Sequence, residues 1–311
     1  MPADDVERLF SVILEVRPEH KRHLDRTLAA MTARERVHAN LAADLVMRIA
    51  GSEIRKACED YAWVCDQMQN EQLYFARTGR YRLSTFREAS EQVYSNAPFM
   101  ERYLNALLIG RITWLEQLQM LGYYIDEFVP GNVDGYRHLE VGPGHGLLLY
   151  LASRDPRCAE VAGMDVSESS LAATARCMEE LGAERQPTLE AHDILSDMPG
   201  DSGTWDSIVV SEVLEHLEEP RLALDHLVSV LRPNGRMFIT TPVNTPMPDH
   251  IHLFEAPEEV LDLVGSAGLD VLAHRFFTGV GVSEERARKR RLPIACAVIA
   301  RLSPREKGGT P

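Results

Sequence analysis

Three glycines at alternate positions follow an acidic residue in the segment LEVGPGHGLLLYLAS, where Glu140 precedes Gly142, Gly144 and Gly146. This spacing indicates a tight turn between a strand and a helix, at which a ligand approaches the backbone closely. Dinucleotide sites instead use G-x-G-x-x-G and hold a pyrophosphate on the helix N-terminus. A carboxylate at Glu140 would repel a pyrophosphate but would suit an ammonium group. The pattern therefore favours S-adenosylmethionine (SAM), which carries an ammonium and a sulfonium and no phosphate, over a nicotinamide dinucleotide.

Acidic residues also stand at the exits of the next three predicted strands. Asp165 follows the last glycine by about 20 residues, the spacing at which a carboxylate accepts hydrogen bonds from ribose hydroxyls. Asp193 follows the third strand, where it could receive an adenine amino group, and Glu212 and Glu215 follow the fourth. Acids gathered at one edge of a sheet predict a negative cleft, which suits a cationic cofactor.

Strands and helices alternate along the chain after residue 130. The predicted strands are RHLEV, EVAGMDV, PTLEAHDIL, WDSIVVSEVL, GRMFITTPVN, LDVLAHRFF and IACAVIARL. Helices are predicted between most of them, at 146–153, 168–181, 220–231 and 257–267. This alternation predicts an α/β fold with a doubly wound, mostly parallel sheet of seven strands, in which the last two strands form an antiparallel hairpin.

The first 125 residues contain few glycines, and their apolar positions recur at helical spacing. At least four helices are predicted there, and the segment 98–128 is the most apolar of them. Ser52 and Asn96 are predicted to start helices, and Gly51 and Gly79 to end them. So many apolar positions need burial, either against the rest of the chain or in a homodimer.

The composition narrows the classes of function. The net charge of −14 disfavours nucleic-acid binding, because phosphate backbones would be repelled. Five cysteines without a CxxC pair argue against a disulfide framework and against a zinc ribbon. No apolar run has the length of a signal peptide core or a membrane span. These features predict a soluble, cytoplasmic protein without nucleic-acid or membrane partners.

Five motifs together resemble one family: LEVGPGHG, GMDVSESSL, HDIL, WDSIVVSEVLEHLEEP and LRPNGRMFITTPVN. Through them, residues 136–302 resemble class I SAM-dependent methyltransferases, nearest to the small-molecule branch that includes ubiquinone-biosynthesis O-methyltransferases. The resemblance implies a Rossmann-like methyltransferase fold and methyl transfer from SAM to a small-molecule acceptor in specialised metabolism, with S-adenosylhomocysteine (SAH) as the product. The predicted organisation is a helical domain (1–128) that covers the substrate or mediates dimerisation, a SAM-binding domain (129–302) and a flexible tail (303–311).

The resemblance also implies which residues hold the cofactor. The predicted cofactor residues are Glu140, Gly142, Gly144, Gly146, Asp165, Val166, Asp193, Ile194 and Glu212. Within this set, Glu140 and the glycines would hold the methionine part of SAM. Asp165 would hold the ribose, and Asp193 with Ile194 the adenine.

The catalytic residues are less specific in sequence. Methyl transfer is an in-line displacement, which needs alignment of donor and acceptor and sometimes removal of a proton. The loops after the fourth and fifth strands offer Glu215 with His216, and His250 with His252. A histidine with an unperturbed pKa of about 6.5 can accept a proton near neutral pH, so these four are the predicted catalytic residues. For Glu215 and His216 a role in the cofactor loop stays open.

A metal site is considered and not predicted. Asp249, His250, His252 and Glu255 are of metal-ligand types and close in sequence. Two-residue spacing between histidines is not specific, and no second cluster of ligand types is visible. The sequence therefore predicts no required metal.

The acceptor is the least determined part of the reaction. Asn244 is a predicted acceptor contact, and Arg286 and Arg288 in the basic run ERARKRR would anchor an acceptor carboxylate or phosphate. Two rival functions stay open. One is methylation of a peptide or protein, and the other is a catalytically inactive SAM-binding regulator.

Overall fold

The computed structural model describes residues 4–199 and 202–303. Its N-terminal part is helical, as predicted, with α1 Asp5–Val16, α2 Lys21–Ala30, α3 Ala33–Ala50, α4 Ile54–Thr78, α5 Phe86–Ala89, α6 Ala97–Thr113 and α7 Leu115–Tyr123. Gly51 and Gly79 end α3 and α4, and the Asn96 side chain caps α6. Ser52 lies in a 3₁₀ turn, and α4 begins after it. Among the described residues, no helix combines the length and apolarity needed to cross a membrane.

Seven strands form one sheet: β1 Tyr136–Val141, β2 Cys158–Asp165, β3 Thr188–Ala191, β4 Trp205–Ser211, β5 Leu231–Val243, β6 Leu269–Thr278 and β7 Ile294–Leu302. Their order is β3-β2-β1-β4-β5-β7-β6. The strands β1 to β5 pair in parallel, whereas β7 lies between β5 and β6 and is antiparallel to both. The prediction of a mostly parallel sheet of seven strands is confirmed. The tail predicted at 303–311 lies, except for residue 303, outside the described residues.

The helices that connect the strands are α8 Leu147–Ser153, α9 Glu168–Glu180, α10 Pro220–Val230, α11 Pro257–Ser266 and α12 Glu284–Arg290. Because β1, β2, β4 and β5 run in the same direction, their carboxyl ends meet at one edge of the sheet. The sheet order reverses beside β1, since β2 lies on one side of it and β4 on the other. A crevice at such a reversal is where doubly wound sheets bind ligands.

The predicted helix at 98–128 is broken at Trp114. The break separates α6 from α7, and Trp114 has an extended backbone with φ −97° and ψ 113°. The indole of Trp114 folds back onto Gly110, where a Cβ atom would lie 2.5 Å from the ring. The absence of a side chain at Gly110 therefore permits this turn. As a result, the residues after the break face the carboxyl edge of the sheet.

One hydrophobic core joins the helical region to the sheet. The rings of Tyr124 and Phe128 pack on Phe238 of β5, with centroids 5.4 and 5.3 Å apart. The same core continues from Leu9 in α1 to Ile299 in β7. The helical region therefore buries one face of the sheet. Dimerisation through its outer surface stays a prediction.

A chain that starts at Asp126 should be insoluble or loosely folded. It would expose the face of the sheet that includes Phe238 and Ile299, which are 1% and 2% exposed in the full chain. Large exposed apolar patches promote aggregation. Sedimentation and thermal unfolding measure the outcome. A soluble truncated chain that unfolds cooperatively would show that the two parts are independent.

Candidate active site

A cavity of about 550 Å³ lies between the carboxyl edge of the sheet and the helical region. The helical region contributes Met68, Tyr103 and Trp114 to its wall, and the strand exits contribute Gly142 and Asp165. The wall is mostly apolar, with a few polar groups directed inward. This volume and this character are typical of small-molecule sites, which span about 300–1,000 Å³.

The glycine turn forms part of the cavity wall. Gly142 and Gly144 line it, and their φ angles of 66° and 56° lie in the left-handed region that favours glycine. A Cβ atom at Gly142 would lie 2.6 Å from a methyl carbon of Val213. Gly146 does not line the cavity, because it packs against Thr174 of α9. The turn therefore brings main-chain atoms of two of the three predicted glycines to the cavity.

Glu140 lies beneath this turn, outside the cavity wall. Its side chain is 2% exposed, and it accepts a hydrogen bond from the main-chain N–H of Leu149 in α8. Burial raises the pKa of Glu140 to about 8, although the nearby Arg111 guanidinium opposes the rise. The carboxyl group thus braces the start of α8. Because Glu140 does not line the cavity, it would influence a bound ligand only through the position of the turn and its charge.

The predicted ribose and adenine residues come together. Asp165 and Val166, at the end of β2, line the main cavity, and the Asp165 carboxylate accepts a hydrogen bond from the Ser167 N–H at 2.8 Å. Burial raises the pKa of Asp165 to about 6. Asp193 and Ile194 line a smaller hollow of about 60 Å³, which shares Asp165 and Val166 with the main cavity.

A polar chain that sequence reasoning missed crosses the cavity wall. The Arg111 guanidinium donates to the Gln117 side-chain oxygen at 2.6 Å, and the Gln117 amide donates to Glu212 at 3.2 Å. The Thr240 hydroxyl also donates to Glu212, at 2.9 Å. Burial lowers the pKa of Arg111, and the Glu212 and Glu140 carboxylates oppose this. One signal was present in the sequence, since Arg111 is the one charged residue in the apolar stretch between Arg102 and Glu116.

Glu215, His216 and His250 form a compact cluster in the wall of the same cavity. The Glu215 side chain is fully buried, and one of its oxygens accepts a hydrogen bond from the Thr241 hydroxyl at 2.9 Å. Within the part of the chain that the structure describes, its other oxygen, Oε1, has no hydrogen-bond partner. That oxygen lies 3.8 Å from His216 Nε2 and 3.9 Å from His250 Nε2. These distances are too long for hydrogen bonds.

The hydrogen bonds of the two rings determine their tautomers. His216 Nδ1 lies 3.1 Å from the Asp249 carbonyl oxygen, and His250 Nδ1 lies 2.7 Å from the Thr245 carbonyl oxygen. A carbonyl oxygen only accepts, so each Nδ1 carries a hydrogen and each neutral ring keeps its lone pair on Nε2. One carboxylate oxygen and two nitrogen lone pairs therefore face each other, all within 4.8 Å. Neutral imidazoles held by main-chain carbonyls, together with a carboxylate, are a common ligand set for divalent cations.

The two histidines titrate in opposite directions. Burial lowers the pKa of His250 to about 3, and the nearby His216 adds to the effect. Burial also acts to lower the pKa of His216, but the Asp249 and Glu215 carboxylates outweigh it, so this pKa is raised. Burial and the neighbouring Glu212 raise the pKa of Glu215. His250 is therefore neutral near pH 7 and too weak a base to hold a proton there.

Asp249 ties the cluster to the helical region. Its carboxylate accepts hydrogen bonds from the hydroxyls of Tyr103 at 2.7 Å and Tyr94 at 3.3 Å. The same carboxylate lies 3.6 Å from His216 Nδ1. Burial, and then the Asp249 charge, raise the pKa of both tyrosines, so both phenols remain donors. The helical region thus fixes the position of a group that orients His216.

Comparison with known proteins shows that residues 139–237 match the family described as a methyltransferase domain. The chain is 33% identical over 144 residues to a ubiquinone biosynthesis O-methyltransferase of Marinobacter nauticus, covering 45% of this chain and 57% of that relative. It is 35% identical over 114 residues to the protein of the same name from Alkalilimnicola ehrlichii, covering 36% and 43%. The protein contains a SAM-dependent methyltransferase domain. The predicted family and the predicted cofactor are thereby confirmed. The chain spans about half the length of the curated relatives that it matches.

A solved structure agrees with the fold of the methyltransferase domain. It comes from Galdieria sulphuraria and is provisionally assigned as a sarcosine dimethylglycine methyltransferase. The TM-score is 0.50 at 15% identity, covering 60% of this chain and 88% of that chain. At this identity the likeness shows the fold alone. The family match begins at residue 139, so the helical region lies outside it.

Four residues assigned from sequence to the acceptor site or to catalysis do not line the cavity of the methyltransferase domain: Asn244, His252, Arg286 and Arg288. The Asn244 amide donates to the Glu255 carbonyl at 2.9 Å, and the His252 ring packs on Phe254. Arg288 pairs with Glu258 and Glu284, each at 2.8 Å, and Arg286 is exposed. These assignments are corrected accordingly. The basic run lies on the surface: Arg286, Lys289 and Arg290 are exposed, and Arg291 pairs with Glu255 at 2.6 Å.

Proposed function

We propose that this protein transfers a methyl group from SAM to a hydroxyl oxygen of a small-molecule acceptor in specialised metabolism. The observation that carries the proposal is the single cavity whose wall contains both the glycine turn and the Glu215–His216–His250 cluster. Donor and acceptor would share this cavity, which gives the alignment that an in-line displacement needs. The names of the curated relatives support oxygen as the acceptor atom. The size of the cavity favours a small molecule over a folded peptide.

The proposed SAM site follows the cavity wall. The methionine part would lie on Gly142 and Gly144, with its carboxylate towards Arg111 and its ammonium towards Glu212. Arg111 is suited to this because it is the one cationic side chain, apart from histidines, among the described residues of the wall. Asp165 with Val166 would hold the ribose, and the hollow at Asp193 and Ile194 would hold the adenine. Glu140 and Gly146 would support the turn from behind.

We further propose that Glu215, His216 and His250 hold a divalent cation. The sequence alone predicted no metal. The side-chain geometry is the reason for the change, since three atoms of metal-ligand type converge and the Glu215 Oε1 atom has no hydrogen-bond partner among the described residues. When bound, such a cation polarises an acceptor oxygen and lowers the pKa of its hydroxyl. The chain supplies the ligand atoms, and the Asp249 and Thr245 carbonyls fix the two rings. The apolar wall excludes water. His250 would then act as a ligand, in keeping with its low pKa, and not as a base.

Transfer of a labelled methyl group from SAM to a panel of small phenols, catechols and amino alcohols tests this function. SAH should bind in calorimetry, and at least one hydroxyl acceptor should be methylated. Dialysis against EDTA should lower the rate at least about tenfold, and Mg²⁺ or Mn²⁺ should restore it. Absence of SAH binding would contradict the whole proposal. SAH binding without transfer to any acceptor would support the SAM-binding regulator, and transfer only to peptides would support the protein methyltransferase.

The metal has a separate test that does not depend on turnover. Titration of Mn²⁺ into the metal-free protein should give saturable binding, and Glu215→Gln should weaken it at least about tenfold. Full activity in EDTA would instead return the catalytic role to His216, whose raised pKa makes it the stronger base of the two.

A further inference from the structure

Glu116 faces the cavity without a partner. It lies in the first turn of α7, just after Trp114, and both side chains line the cavity. Within the described chain, no cationic side chain pairs with its carboxylate. Three factors act on the pKa of the Glu116 carboxyl: burial, a hydrogen bond from its own main-chain N–H and the charge of Glu212. Burial and then Glu212 raise the pKa of Glu116, while the hydrogen bond opposes this.

Helix stability alone does not account for this position. An acid in the first turn of a helix stabilises it, but a solvent-exposed acid provides that effect without the cost of desolvation. A carboxylate that faces an apolar cavity loses hydration and needs a charged or hydrogen-bonding partner. The geometry therefore points to a partner that enters the cavity from outside the chain.

The charges around the cavity select the sign of that partner. Five carboxylates line it, at Glu116, Asp165, Glu212, Glu215 and Asp249. The one positively charged side chain in the described wall, apart from histidines, is Arg111, and its guanidinium already donates a hydrogen bond to Gln117. The arginines that could have bound an acceptor carboxylate or phosphate lie outside the wall, on α12. In the proposed complex, SAM and the divalent cation would engage Asp165, Glu212 and Glu215, and the Asp249 carboxylate accepts hydrogen bonds from two tyrosines. Among the described wall residues, Glu116 is then the carboxylate left for the acceptor, and it would attract a cationic group and repel an anionic one.

We propose that Glu116 binds a protonated amine on the acceptor. The acceptor is then an apolar small molecule that carries a basic nitrogen apart from the group that is methylated. An ammonium would donate charged hydrogen bonds to the carboxylate, and the Trp114 side chain lines the same cavity. The apolar wall at Met68, Val282 and Leu292 would hold the hydrocarbon part. This inference rests on the proposed function only in taking the occupant of the cavity to be the acceptor.

Calorimetric titration of two matched probes, phenylbutylamine and phenylbutanol, tests the inference with and without SAH. They have the same hydrocarbon body and differ in charge. Wild-type protein should bind the amine at least about tenfold more tightly than the alcohol. Glu116→Gln should weaken amine binding about tenfold or more and leave alcohol binding within about threefold. The matched control is Glu127→Gln, which removes the same charge at an exposed position beyond α7 and should keep the wild-type preference.

Three outcomes would overturn the inference: no saturable amine binding, equal binding of amine and alcohol by the wild type, or an amine preference that persists in Glu116→Gln. Thermal unfolding of each variant confirms that the change reports on the site. Because the probes are titrated without SAH as well, a failure of SAH binding would count against the proposed function alone.

Discussion

Replacing Glu215 with glutamine is expected to slow methyl transfer by about 10²–10³-fold, with SAH affinity changed less than about threefold. The substitution keeps the size of the side chain but replaces the carboxyl group that faces the two imidazole nitrogens with an amide, which cannot serve as an anionic metal ligand. A bound cation contributes several kcal/mol to stabilising the developing charge, and each 1.4 kcal/mol or so is worth about tenfold in rate. Single-turnover transfer and SAH calorimetry measure the two quantities. Loss of both in parallel would indicate a structural role for Glu215.

The two histidines of the loop after β5 give a matched pair for the same test. His250→Asn should slow transfer strongly, because His250 Nε2 faces Glu215. His252→Asn should leave the rate near that of the wild type, because its ring packs on Phe254 outside the cavity. Its main-chain N–H, which donates to the Glu215 carbonyl, is unaffected by the substitution. A near wild-type rate of transfer in both variants would show that His250 has no role in the mechanism.

Replacing Asp165 with alanine should weaken SAH binding by about 1.5–3 kcal/mol for each charged hydrogen bond lost, or about tenfold to 150-fold. The carboxylate lines the cavity beside Val166 and would accept hydrogen bonds from the ribose hydroxyls. Glu168→Ala is the matched control, since it removes the same charge at an exposed position of α9. Unchanged SAH affinity in Asp165→Ala would reject the ribose assignment.

The pH dependence of SAH binding gives an independent check on the same residue. Without ligand, burial raises the pKa of Asp165 to about 6, so the carboxyl is increasingly protonated below that pH. Ribose hydroxyls donate to the ionised form, and binding therefore releases a proton at low pH. Affinity should fall by up to about tenfold per pH unit below pH 6 and level off above it. Asp165→Ala should lack this part of the pH profile.

Local sequence determined the features that depend on neighbours in the chain. The glycine turn and its helix could be predicted, because positive φ angles at Gly142 and Gly144 require residues without a Cβ atom. Acids that end parallel strands meet at one edge for topological reasons, so Asp165, Asp193 and Glu212 were predicted as neighbours of one ligand. The caps at Gly79 and Asn96 likewise follow from local hydrogen bonding.

Tertiary structure alone decided which side chains of the loop after β5 face the cavity. His250 and His252 would share one side of an extended segment. A turn at Pro248 and Asp249 instead precedes His250 and a bend follows at His252, and of the two only His250 reaches the cavity. The bond between Tyr103 and Asp249 joins residues 146 positions apart. Such contacts leave no periodic signal in either segment.

The break at Trp114 and the insertion of β7 between β5 and β6 also come from packing. Helical spacing continues through the break, and the turn depends on an indole that fits against Gly110. That turn directs Glu116 and Gln117 towards the sheet. The sequence therefore determined what the domain binds as donor, because the proposed donor site is built mainly from local turns at strand ends. The acceptor side was decided only by tertiary structure, because its groups come from distant segments that meet when the helical region buries one face of the sheet.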